Sequence, residues 1–558
     1  MNAPASPRPP RPIAASEHWR ANPFHRMRLG EVSAPDRIEH WGQDPRTGNV
    51  DRGRDILNGR WRIGAEHIRG EFASPWALAH PSHHFTARLH SFSWLIDLAA
   101  LGPTADARIA DLIDEWVSAF GEWDEIAWEP ELTAERVYAL LCWGRPAFEH
   151  GAPELRPMLL RSLARQVRLL MLAHGELSER HLGSIKAGAA LILAGAAGLG
   201  DPARLAEQGE EMLIEACAKQ FFPDGGHMSR SPEALAKAIF DMVTAQDALE
   251  EPPRILSETL PKLANMLRML RLGDGGLACF HGGSESSAAS IDAALERCGG
   301  EVRSFQFGNH TGFHRLEGGA LRVLVDVGGA PPLSYAERAH ASALAFEMSS
   351  ERERLIVNIG AGRELAPDAR QAARATNAHS TLSLGDALSA TLEDRRGKGG
   401  PRLVGPNLDD VRRSADDTGI TVQGRHDGYR ASFGLLHRRY LFIDHEGRNL
   451  RGIDELMRPQ KHKGPTPKGE IPYMIRFHLH PSVRVQLIEH QMALLETPAG
   501  QAWRLRTDAP LISVEPSTYW GGHFPRDTHQ ITLSGGADPL GHGLAPPNRI
   551  RWALARSA

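Results

Sequence analysis

The spacing of apolar residues changes once along this chain, and that change limits the folds open to it. From Pro75 to about Leu272, apolar side chains recur three and four residues apart in runs such as HSFSWLIDLAALG, ADARIADLIDEWVSAF and RPMLLRSLARQVRLLMLAHG, which break at Gly or Pro. That spacing draws an apolar stripe along each helix, so a helical domain of successive antiparallel helix pairs is expected. After about Gly300 the pattern becomes alternation, in ALRVLVDVGG, LAFEMSS, RLIVNIG, GITVQGRHDGY, YLFIDHEG, YMIRFHLHP and ITLSGG, punctuated by turns such as HEGRN and TPAGQ. Many short alternating strands point to an antiparallel β-sandwich. The expected architecture is therefore α+β and multidomain: a flexible arm at 1–35, a helical domain at 36–295 and a β-sandwich at 296–558. The junction of the two folded parts is the expected place for a ligand cleft.

Charge and cysteine use exclude several functions. The 64 basic and 68 acidic residues leave a formal charge of −4, which offers no field for nucleic acid. Cys142, Cys217, Cys279 and Cys298 show no metal-ligand spacing and read as reduced thiols. The N-terminal MNAPASPRPPRP carries Pro and Arg where an export signal needs an apolar run, so a cytoplasmic protein is expected. The most apolar stretch, AGAALILAGAAGLG at 187–200, is short for a membrane span, begins beside Lys186 and reads as a buried helix.

The stretch DGGHMSRSPEALAKAIFDMV gathers chemistry at a helix start. Ser231 is a preferred N-cap, Pro232 suits the first helical position, and Glu233 lies well against the helix dipole. His227 and Arg230 fall outside that explanation. His227 follows two glycines that permit close backbone approach to a ligand, although hydrogen bonding within its own loop explains it equally well. Arg230 is suited either to a substrate carboxylate or to an acidic neighbour such as Asp224. On the strand IRFHLHP, Arg476, His478 and His480 alternate and share a face, which a solvated sheet explains without a ligand. His83, His84 and Arg88, with Trp94 and Trp128, are suited to sugar contacts at the mouth of the helical domain, but aromatics at helical spacing are more often core.

Four segments, FFPDGGHMSRSPEAL, HASALAFEMSSERERLIVNIG, RATNAHSTLSLGD and PYMIRFHLHPSV, spanning 221–483 in this order, resemble the heparinase II/III family of polysaccharide lyases, including the related alginate lyases. The resemblance implies an incomplete α/α toroid followed by an antiparallel β-sandwich, with a carbohydrate cleft between them. It also implies β-elimination on uronic-acid glycans: the uronate carboxylate is neutralised, a base removes the adjacent proton and an acid protonates the leaving oxygen.

The family's motifs map unevenly. The tyrosine that follows its serine-proline turn by two residues corresponds to Ala234, and its neutralising Asn-His pair to Arg180-His181. Its histidine pair and aspartate ahead of the Phe-Glu strand correspond to Arg338, His340 and Ser342. Of the six tyrosines, Tyr335, in a Pro-rich loop five residues before His340, is the best substitute phenol. The candidate catalytic residues are thus His340, Tyr335, His181 and His227, with Arg180, Arg230, Arg338 and Arg88 as candidate substrate ligands. The elimination requires no cofactor. Some family members hold a structural zinc, and the matching positions are His340, Asn358 and His379, a set weakened by the neutral amide.

Two functions follow: a lyase acting on an acidic polysaccharide or oligosaccharide, or a non-catalytic or redirected member that binds a glycan in cell-envelope metabolism. Neither involves nucleic acid or a membrane span, and self-association as a homodimer stays open. The family's usual work outside the cytoplasm sets a cell-envelope or periplasmic location against the cytoplasmic one.

Overall fold

The computed structural model describes residues 29–30, 32–70, 73–178, 181–362, 367–394, 400–459, 467–489, 491–541 and 544–557. Most of the arm expected at 1–35, and Arg180, lie outside them.

The helical half begins with α1 (Val50–Leu57) and a two-stranded hairpin, β1 (Arg60–Ile63) and β2 (Glu66–Arg69). Its longer helices are α2 (His83–His90), α3 (Asp106–Phe120), α4 (Pro130–Trp143), α5 (Leu155–Leu172), α6 (Leu182–Ala196), α7 (Pro202–Lys219), α8 (Pro232–Asp247), α9 (Arg254–Met269) and α10 (Ala288–Arg297). Local chemistry sets where many of them start. Asn49, Ser82, Glu129, Asp201, Ser231 and Ser287 each accept a hydrogen bond from a backbone N–H of the first turn, and Pro130, Pro202 and Pro232 follow their caps directly.

Helix α6 is the apolar stretch seen in the sequence, and it lies in the middle of this half, packed on α4, α7 and α8. Its approach to α7 is close because both helices carry glycine at the crossing. A Cβ on Gly188 would stand 2.9 Å from the Gly209 carbonyl oxygen, and one on Gly209 would stand 2.7 Å from that of Gly188. Among the described residues no helix is long and apolar enough to cross a membrane.

From Phe307 onward the regular structure of the described residues is mostly strand, chiefly in two large antiparallel sheets. One has nine strands, running Leu511–Tyr519, Arg526–Ala537, Ile471–Leu479, Glu353–Val357, Phe346–Ser350, Leu321–Asp326, Phe313–Gly318 and Phe307–Gly308, with Leu382–Leu384 also paired to Ile471–Leu479. The other has eight, running Leu408–Ala415, Gly419–His426, Leu436–Asp444, Asn449–Met457, Arg549–Arg556, Ala502–Thr507, Met492–Glu496 and Arg484–Glu489. Alternate residues of the two sheets fill one core around Phe346, Phe477, Trp503 and Trp552. The helical core reaches across the seam to Phe313 and Leu324 of the first sheet and to Ala345, just ahead of its strand Phe346–Ser350, so the two halves share an apolar contact. The strands anticipated from alternation, from Leu321–Asp326 to Arg526–Ala537, are all present.

Candidate functional site

A cleft runs along the seam between the halves. One lobe, of about 320 Å³, is lined by Arg88, Glu135, Tyr138, Leu182, Gly183 and Lys186 from the helices and by Arg338 from the sandwich. A second lobe, of about 340 Å³, adds Asp97, Glu233, Ser284, Trp520 and Phe524. Arg46, Ser93, Ile96 and Lys237 line both, so the lobes are continuous.

Three of the four candidate catalytic residues meet one another across the seam, His181 standing next in sequence to Leu182 and Gly183 of the cleft lining. His181 precedes α6, Tyr335 lies in the sandwich loop, and their ring centroids are 4.1 Å apart. His227 lies 5.7 Å from Tyr335 on its other side. The His181 backbone has a φ of 43°, left-handed for a non-glycine residue, and its Nε2 meets the Ser334 carbonyl at 2.9 Å. Tyr335 donates its hydroxyl to the Lys219 carbonyl at 3.2 Å, and burial raises its pKa above the ordinary phenol value. His227 is buried: Nδ1 meets Ser229 Oγ at 2.7 Å, and Nε2 has no hydrogen-bond partner among the described residues. Burial, helped by the charge of nearby His181, lowers its pKa to about 3.

Arg230 and His340 are placed differently from the expectation. Arg230 turns inward, 4% exposed, and its guanidinium pairs with Asp326 at 2.5 Å, meets His281 Nε2 at 3.0 Å and donates to the carbonyls of Thr311 and Gly329. It is therefore enclosed within the protein rather than presented to a ligand. Asp224, the acidic neighbour suggested by the sequence, instead accepts from the backbone N–H groups of His310 and Thr311. Burial alone would raise the Asp326 carboxyl, but Arg230 and His281 hold it well below the ordinary carboxylate range. Ser342, where the family has aspartate, donates to Asp326 at 2.7 Å.

His340 is 3% exposed, its backbone N–H reaches His281 Nδ1 at 3.3 Å, and its Nδ1 meets His379 Nε2 at 3.2 Å. It thus joins the seam network through His281, behind the cleft wall. Arg338 and Arg88 do line the cleft, and Arg88 is paired with Glu135 at 2.9 Å. Trp94 and Trp128 are core side chains, 3% and 1% exposed. His478 is buried between Ser517 and the Asn377 carbonyl, so the face it shares with Arg476 is not a cleft wall.

The residues expected to hold zinc do not fit it. The Asn358 amide oxygen accepts from Ser380 N–H at 3.0 Å, and its Nδ2 donates to Glu347 Oε1 at 3.1 Å, so both ends are already engaged. With no carboxylate in the set, His340 and His379 are left as a hydrogen-bonded imidazole pair. Among the described residues no group of three His, Cys, Asp or Glu is arranged to hold a metal.

The cleft floor carries a cluster that sequence reading missed. Arg46 bridges Asp44 at 2.5 Å and Asp241 at 2.6 Å, Lys186 meets Asp241 at 2.5 Å, and the Tyr138 hydroxyl donates to Asp44 at 2.6 Å. The Lys186 ammonium also lies 3.6 Å from the Tyr138 ring centroid. Burial and then the charge of Arg46 lower the Lys186 pKa, with Asp241 and Asp44 opposing. One signal was available: Asp241 sits within the apolar face of ALAKAIFDMVTA, where a carboxylate must find a cation.

Residues 301–553 match the family description "Heparinase II/III-like, C-terminal". The chain is 33% identical to FtsZ-localized protein C of Caulobacter vibrioides (strain NA1000 / CB15N) over 560 residues, covering 97% of this chain and 93% of that protein. A solved structure of heparinase III is similar with a TM-score of 0.63 at 14% identity, over 97% of this chain and 88% of that one. The heparan sulfate lyase HepC mutant from Pedobacter heparinus gives a TM-score of 0.57 at 14% identity, over 96% and 87%. These structures share the fold of helical toroid and β-sandwich, and with the ordered motifs and the extended match to a relative they identify the chain as a member of the heparinase II/III family.

Proposed function

We propose that this chain binds a glycan in the seam cleft without cleaving it by β-elimination. The reading rests on the charge balance of the cleft. Elimination needs donors free to take up the charge that develops on a uronate carboxylate. Here Arg46 and Lys186 face Asp44 and Asp241, Arg88 faces Glu135, and Lys237 pairs with Glu233. Such a floor offers alternating donors and acceptors to sugar hydroxyls and little net attraction for a polyanion. The phenol is altered too: Ala234 holds the family position, and Tyr335 engages a backbone carbonyl with its pKa raised rather than lowered towards a base.

Lyase activity is the second reading, favoured by the meeting of His181, Tyr335 and His227 across the seam. Absorbance of the unsaturated uronate product separates the two over a panel of uronic-acid polymers: binding without that absorbance supports the first, and turnover supports the second.

Similarity to FtsZ-localized protein C along 97% of this chain supports a place beside FtsZ, where glycan binding would serve division-site envelope metabolism. A cytoplasmic location is part of the same proposal. A fluorescent fusion that stays diffuse while FtsZ forms its ring would remove this part.

A further inference from the structure

The hairpin of β1 and β2 carries one face of basic side chains at the outer end of the cleft. In its register Arg60 stands opposite Arg69 and Arg62 opposite His67, and all four are exposed. Trp61 and Ile68 occupy the other face and are buried, and Glu66 shares that face, where it accepts from Ser82 at 2.7 Å. Among the described residues the basic face therefore has no carboxylate of its own, although Asp55 of α1 reaches Arg60 from the side at 2.9 Å. Like charges directly opposite each other destabilise a two-stranded ribbon, so folding alone does not account for this arrangement.

The face is joined to the cleft. Arg52, His523, Phe524 and Pro525 line both the outer lobe and the hollow against which Arg62 lies. The Arg62 guanidinium stands 5.2 Å from the Phe524 ring centroid, and Phe524 is 36% exposed. An exposed aromatic ring beside Arg62 and Arg69, which have no ion pair among the described residues, suits a saccharide that carries an anionic group, since the ring takes the apolar sugar face and the cations take the charge.

We propose that this hairpin is an outer subsite for an anionic saccharide unit, a carboxylate-bearing sugar, at one end of a glycan whose uncharged units occupy the charge-balanced cleft. The inference rests on the glycan-binding reading above and narrows its ligand to a sparsely acidic chain.

The test compares the intact protein with an Arg62→Ser, Arg69→Ser double variant, by calorimetric titration with a hyaluronan oligosaccharide, in which uronate and neutral units alternate, with neutral chito-oligosaccharide and with a polyglutamate peptide. The double variant is expected to bind the hyaluronan oligosaccharide about tenfold more weakly, with a shallower salt dependence, and to bind chito-oligosaccharide unchanged. Its Tm should not fall, because loss of Arg69 relieves the like charge of Arg60 opposite it and Arg62 makes no ion pair among the described residues, and an Arg62→Lys, Arg69→Lys variant should recover most of the affinity. Unchanged affinity for the hyaluronan oligosaccharide, equal loss for both saccharides, or loss confined to polyglutamate overturns the subsite and leaves cleft binding standing. Failure of the wild-type protein to bind either saccharide overturns both the subsite and the glycan-binding reading.

Discussion

The imidazole of His181 and the ring of Tyr335 lie 4.1 Å apart across the seam, although one precedes a toroid helix and the other belongs to a sandwich loop. The contact ties the two halves together across the seam. Because the Tyr335 hydroxyl serves Lys219, Tyr335→Phe should leave saccharide binding within twofold and lower stability by about 1 kcal/mol. His181→Ala removes the ring contact and should weaken binding about fivefold, which is roughly 1 kcal/mol. Titration calorimetry on both variants checks the difference.

Asp241 holds two cations on the cleft floor, so Asp241→Asn leaves Arg46 and Lys186 facing Asp44 alone. Removing one member of a buried charge network is expected to cost about 3 kcal/mol. A fall in Tm by differential scanning calorimetry, with the helical half unfolding first, is the expected outcome. A Tm equal to wild type would mean the cluster contributes nothing to folding.

His227 sets a pH dependence whose sign is fixed. Its pKa is lowered from 6.5 to about 3 by burial and His181, so an unfolded chain takes the proton before the folded one does. The stability due to neutral His227 is complete above pH 6.5 and is lost as pH falls from 6.5 towards about 3. Between pH 6 and 4, a His227→Gln variant should lose stability less steeply than wild type, by about 1.4 kcal/mol per pH unit. Urea midpoints across that range provide the measurement.

Much of the fold was legible in the sequence because the relevant forces are local. The Ser231 cap with Pro232 was readable and forms as expected, with Ser231 Oγ accepting from Ala234 N–H. The alternating runs became strands of two sheets. The site was less legible because its pairings are distant. Nothing near Arg230 in sequence points to Asp326, and Arg46 meets Asp241 from a segment that precedes the long helices. His181, Tyr335 and His227 could be nominated from family motifs and loop chemistry, but the sequence did not disclose that His340 would be enclosed with His379.

The Asn358 environment yields a prediction about metal. Asn358→Asp would place a carboxylate against Glu347, whose pKa burial already raises to about 7, and would remove the donor at 3.1 Å. The variant should lose about 2 kcal/mol of stability. Added zinc should not recover it, and a chelator should leave the wild-type Tm unchanged. A zinc-dependent rise in Tm for either protein contradicts this.

The most direct measurement follows one sample of purified protein with a panel of uronic-acid oligosaccharides, recording bound ligand by calorimetry and unsaturated uronate by absorbance. The expected result is saturable binding of at least one sparsely acidic oligosaccharide, with no absorbance above an enzyme-free control. Absorbance that rises with time and protein concentration, and is lost in Tyr335→Phe, would contradict it and establish the chain as a lyase.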